Sequence, residues 1–135
     1  MVSTTLAPGQ TVLILDDNPA FVRAVTMAAE AAGLAVIATE DMETFAGFLG
    51  RPDIAAAIVD CLLGEGSGLA TLGTIASHRA DLPTLVVSGY GETMLAQAEQ
   101  IGRRHGLTRL STLAKPFSMA DLRGFLVGAT AAEAA

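Results

Sequence analysis

Tryptophan is absent from this 135-residue chain, tyrosine and cysteine occur once each, and histidine occurs twice. The lone cysteine, Cys61, cannot close an internal disulfide, and the Cys and His residues form no cluster with zinc-ligand spacing. With aromatics at 4% against 51% hydrophobic residues overall, any core must be built mainly from aliphatic side chains. Charge is scarce as well: 16% of residues are charged, below the usual share of about 25%. The balance is acidic, with a formal net charge of −6, which disfavours a nucleic-acid surface because phosphate neutralisation drives such binding. No stretch approaches about 18 uninterrupted apolar residues, and the opening MVSTTLAPGQ lacks a basic region followed by an apolar one. The expectation is a cytoplasmic protein that contacts neither membrane nor nucleic acid. Length alone suggests one domain.

What the chain does have is alternation. Short apolar runs at Thr11 to Leu15, Ala35 to Ala38, Ile54 to Val59, Thr84 to Val87 and Thr112 to Ala114 read as strands covered on both faces. Between them, apolar residues recur at helical spacing: Phe21, Val25, Ala28 and Ala32; Met42, Phe45, Phe48 and Leu49; Leu69, Leu72, Ile75 and Ala76. Met94, Leu95, Ala98, Ile101 and His105 form a fourth helical face, and Leu122, Phe125 and Leu126 a fifth. Asn18-Pro19 suits a helix start, Gly33 a helix stop, and Ser118 with Asp121 a capping box. Five βα units with right-handed crossovers give a doubly wound α/β domain, a five-stranded parallel sheet flanked by five helices. The domain is expected over residues 11–128, with a tail at 1–10 and an alanine-rich tail at 129–135, both frayed.

Ligand sites of such sheets gather at the carboxyl ends of the strands. There the sequence puts its polar residues: Asp16 and Asp17 after the first strand, Asp60 after the third, Ser88 after the fourth and Lys115 after the fifth. Crowded carboxylates repel one another unless a cation joins them, and a hard divalent ion such as Mg²⁺ suits an oxygen-only set. Lys115 is the single lysine, the other seven basic residues being arginines. A compact ammonium differs there from a planar guanidinium fork.

In this order, Asp16-Asp17, Asp60, Gly68 eight residues on, Ser88-Gly89 and Lys115-Pro116-Phe117 resemble the motif set of response-regulator receiver domains of two-component signalling, the CheY-like group. The resemblance spans about Thr11 to Gly128. It implies that Asp60 accepts a phosphoryl group from a histidine kinase, a histidine phosphotransfer protein or a small acyl phosphate. It further implies that Asp16, Asp17, Asp60 and the backbone carbonyl of Leu62 hold Mg²⁺. Lys115 and the Ser88 hydroxyl would meet the phosphoryl oxygens. The signal would leave through the fourth and fifth helices and the strand between them, toward a downstream effector protein or an effector domain. Such a chain is an acceptor that assists its own modification and dephosphorylation, not a turnover enzyme. The resemblance also implies a cis Lys115-Pro116 peptide.

Some positions depart from the family pattern. Gly64 stands where proline is common, and Thr112, three residues before Lys115, stands where an aromatic switch residue is usual. Leu62 and Tyr90, each two residues past Asp60 and Ser88, are bulky at positions that influence acyl-phosphate hydrolysis, and are expected to lengthen the phosphorylated lifetime. Two alternatives remain. One is a pseudo-receiver that binds partners without phosphorylation. The other is a haloacid-dehalogenase-like phosphohydrolase, though that family spaces its first acidic pair as Asp-x-Asp, whereas here the pair is adjacent. Asp16 and Asp17 could also simply cap the first helix.

Overall fold

The computed structural model describes residues 10–60, 62–63, 66–89 and 92–134. Five parallel strands form one sheet in the order β2-β1-β3-β6-β7, comprising β1 (Thr11–Leu15), β2 (Ala35–Thr39), β3 (Ile54–Asp60), β6 (Thr84–Ser88) and β7 (Leu110–Ala114). Five helices alternate with them: α1 (Pro19–Ala31), α2 (Met42–Phe48), α3 (Gly68–His78), α4 (Glu92–Arg104) and α5 (Met119–Ala134). The expected doubly wound α/β architecture is therefore present. A short antiparallel ladder, β4 (Leu62–Leu63) with β5 (Gly66–Ser67), lies between β3 and α3. Two-residue strands carry no periodicity, and the sequence gives no sign of it.

Alternation along β1 divides the core. Leu13 and Leu15 face a cluster with Phe45 of α2, Leu72 and Ile75 of α3, and Leu95 and Ala98 of α4. Val12 and Ile14 face the other side, where Phe21, Val25, Ala28 and Ala29 of α1 meet Leu122 and Leu126 of α5. Successive strand side chains point to opposite faces, so a run apolar at every position needs helices on both. The helix–sheet fit is close at Gly102 of α4, where a β-carbon would collide with the Leu110 side chain of β7.

The local signals act as expected. Asn18 Oδ1 accepts the Ala20 amide at 2.9 Å and the Phe21 amide at 3.4 Å, capping α1. Gly33, at φ 82°, turns the chain after α1 into the left-handed region that glycine adopts without strain. Ser118 Oγ accepts the Asp121 amide at 3.0 Å at the start of α5. α5 runs on through the alanine-rich stretch to Ala134, alanine having the highest helix propensity. One expectation needs correction. His105 does not continue a buried face of α4: it lies beyond Arg104, is exposed, and rests its ring near Gly73 of α3.

Candidate functional site

The strand order reverses between β1 and β3, the point where an open α/β sheet leaves a crevice at its carboxyl edge. β1 delivers Asp16 and Asp17 there, and β3 ends on Asp60. One carboxylate oxygen from each of these residues lies within 4.8 Å of the others. β7 ends just before Lys115, whose Nζ stands 3.5 Å from Asp16 Oδ2 and 3.7 Å from Asp60 Oδ2. Ser88 is the last residue of β6 and fully buried; its neighbour Val87 pairs with Asp60 across the β3–β6 register. The Lys115 amide donates to the Ser88 carbonyl at 2.7 Å, so the ends of β6 and β7 are tied together beside the acids. The Lys115-Pro116 peptide is cis.

Burial differs sharply across the acidic set. Asp16 is 1% exposed, Asp60 is partly buried and Asp17 is exposed. Asp16 Oδ1 accepts the Asn18 amide at 2.8 Å, so this acid also braces the residue that caps α1. Capping and ligand presentation are thus not competing readings here: Asn18 caps the helix, and Asp16 supports it while presenting its second oxygen to Lys115. Burial pushes the Asp16 carboxyl above the usual aspartate range; the Asn18 amide and Lys115 pull it back, and the Asp60 charge raises it further.

That shift fixes the sign of a pH dependence. A carboxyl whose folded pKa lies above its unfolded one contributes stability in acid, which is lost as pH rises through the folded pKa. At neutral pH, without a cation, ionised Asp16 is therefore a cost to folding. Asp16→Asn keeps the acceptor for the Asn18 amide and removes the charge. It is expected to stabilise the metal-free protein at pH 7, and to do so less in acid, where the Asp16 carboxyl takes up its proton. Thermal melts across pH 4 to 8 in a chelator check this, since the advantage of the variant must grow toward neutral pH. An advantage that is flat or largest in acid would refute it.

The donor set suits a hard divalent cation. It consists of carboxylate oxygens without histidine or cysteine, with a single ammonium beside two of the three acids. The backbone of Leu62, a further expected ligand, lies in β4 two residues past Asp60. Cys61, Gly64 and Tyr90 lie outside the described residues, as does the side chain of Leu62. Thr112 is half-buried in β7, in register with Val86, so position 112 itself carries no aromatic ring.

Sequence reading treats Phe21 only as part of a buried helix face. Its ring also carries the Lys115 ammonium, 4.7 Å from the ring centroid, while Phe117 meets it edge-on with centroids 5.8 Å apart. The available signal was the Pro-Phe following the lysine, but nothing in the sequence pairs residue 21 with residue 115. A cavity of about 280 Å³ adjoins the acids, lined by Asp16, Asp17, Pro19, Val22, Arg23, Ala38 and Glu40. Among the described residues, no helix is long and apolar enough to cross a membrane.

Residues 12–126 match the family described as the response regulator receiver domain. The chain is 36% identical over 124 residues to the acid tolerance regulatory protein ActR of Sinorhizobium medicae (strain WSM419), an alignment covering 90% of this chain and 60% of that protein. The corresponding protein of Rhizobium meliloti (strain 1021) is equally similar, so the chain spans about 60% of the length of these curated relatives. A response regulator from Thermotoga maritima is 27% identical with a TM-score of 0.71, covering 90% of this chain and 98% of that one. A response regulator protein from Burkholderia pseudomallei, solved with a phosphorylated aspartic acid, a calcium ion and citrate, is 25% identical with a TM-score of 0.73, covering 93% of this chain and 71% of that one.

Proposed function

Because the chain belongs to the response regulator receiver domain family of two-component signalling, we propose that Asp60 is its phosphoacceptor, charged by a histidine kinase or a histidine phosphotransfer protein. One observation carries this reading: Asp16, Asp17, Asp60 and the Lys115 ammonium meet at the carboxyl edge of the sheet, with Asp60 only partly buried. The similar Burkholderia protein, whose structure holds a phosphorylated aspartic acid and a calcium ion, supports it.

An Asp60 carboxylate oxygen forms a bond to phosphorus while the bond from phosphorus to the donor's leaving group breaks, the electron pair departing with the donor. Phosphoryl transfer of this kind depends on positioning and on neutralising charge. Asp16, Asp17, Asp60 and the Leu62 carbonyl would hold Mg²⁺, whose charge offsets that of the incoming phosphoryl oxygens. Lys115 supplies a second positive charge from the β7 side, and the Ser88 hydroxyl donates to a phosphoryl oxygen, drawing the end of β6 inward. The change passes to α4, β7 and α5 and from there to an effector, either a separate protein or a further segment of a longer chain. The module works in the cytoplasm, and the bulk of Leu62 and Tyr90 slows hydrolysis of the acyl phosphate.

Incubation with Mg²⁺ and acetyl phosphate, read by intact mass, tests the assignment. One added phosphoryl group is expected, and chelation of the metal should prevent it. Borohydride reduces an aspartyl phosphate to homoserine, which peptide mapping should find at position 60. Reduction elsewhere overturns the assignment. No added mass, with no binding of beryllium fluoride, favours a phosphorylation-independent binding module, whereas sustained phosphate release from unrelated phosphomonoesters favours a hydrolase.

A further inference from the structure

The geometry points to Phe21 as a positioning residue that holds the Lys115 ammonium over the acid site, an inference that rests on Asp60 being the phosphoacceptor. Lys115 Nζ lies 3.5 Å from Asp16 and 3.7 Å from Asp60, contacts too long for tight hydrogen bonds, yet only 4.7 Å from the centroid of the Phe21 ring. A ring face attracts a cation through its quadrupole and offers no lone pair. The three N–H donors of the ammonium therefore remain available to carboxylate and phosphoryl oxygens.

The ring is itself fixed. Phe21 is the third residue of α1, is 8% exposed, and donates its amide to the Asn18 cap at 3.4 Å. The ring of Phe117, two residues beyond Lys115, packs against it in a T-shaped pair at an interplanar angle of 89°. Asp16 braces Asn18 from the other side at 2.8 Å. The acidic loop, the first turn of α1 and the ammonium are thus mechanically one unit. An aliphatic residue at position 21 would fill the same core cluster but give the ammonium no face to rest on.

Lys115 is the only lysine, so labelling with ¹³C-lysine gives a single side-chain signal set. In the parent chain the Lys115 ε-methylene protons should be displaced upfield by the Phe21 ring current. The displacement should vanish in Phe21→Leu and Phe21→Met and persist in Phe21→Tyr. With Mg²⁺ and acetyl phosphate, Phe21→Leu and Phe21→Met should label about three- to tenfold more slowly than the parent chain, the range a cation–π contact spans. Phe21→Tyr should stay within about twofold of it. A purely structural role predicts no ring-current displacement and no dependence on aromaticity between variants of equal melting temperature; that pattern overturns the inference. Should Phe21→Leu fail to fold, the more adaptable methionine variant decides. An unlabelled parent chain refutes the Asp60 reading, and the ε-methylene shift then decides the stacking by itself.

Discussion

Asp60→Asn is expected to take up no phosphoryl group under conditions that label the parent chain to completion. The amide that replaces the carboxylate has no anionic oxygen to attack phosphorus, and neither remaining acid is a ready substitute. Asp16 is 1% exposed and already accepts the Asn18 amide, while Asp17 is exposed beside it without the Lys115 contact that Asp60 has. The fold should survive, because Lys115 keeps Asp16 as a partner and one of three crowded negative charges is gone. Intact mass and a thermal melt of the same preparation check both halves. Label retained by a folded Asp60→Asn chain would show that another group is the acceptor.

Lys115→Met is expected to slow labelling by acetyl phosphate about 10- to 100-fold while leaving the protein folded. Methionine reproduces much of the length of the lysine's apolar stem without its ammonium, so the loss isolates the charge. Removing one preorganised donor from a site of developing charge costs about 10²–10³ where the donor is fully enclosed. The smaller range expected here follows from the Lys115 side chain being 26% exposed, where water screens part of the interaction. Lys115→Arg should recover only part of the rate. A guanidinium is planar and wider, and cannot point three donors from one atom into the gap between Asp16 and Asp60. The comparison is made by initial rates at saturating Mg²⁺; a methionine variant labelling at the parent rate would remove Lys115 from the mechanism.

Much of this site was legible in the amino-acid order, and for a physical reason. Parallel strands buried on both faces are apolar throughout, so the first polar residue after each run marks the carboxyl edge of the sheet. Asp16, Asp60 and Lys115 all stand at such transitions. Boundaries blurred where that contrast weakens. β7 begins at Leu110, two residues before the apolar run suggests, because Ser111 sits on an exposed position of an edge strand. Ala32 shares the helical spacing of Phe21, Val25 and Ala28, yet it is the exposed C-cap of α1, and Ala29 is buried instead. Periodicity measures spacing and is blind to where a helix stops. The contact between Phe21 and Lys115 was hidden for another reason. Local patterns assign a residue to the core or to the surface, and Phe21 belongs to the buried cluster while its ring also serves a charge.

Lys115 follows Asp16 by 99 residues, and the two meet only in the finished fold. On the ribosome the acids are made early and wait, mutually repulsive, while the sheet grows past them. Until the final strand emerges, no partial product can present the positive charge that completes the group. A fragment released too soon therefore carries the acids without their cation: premature termination yields a chain with Asp16, Asp17 and Asp60 but without Lys115.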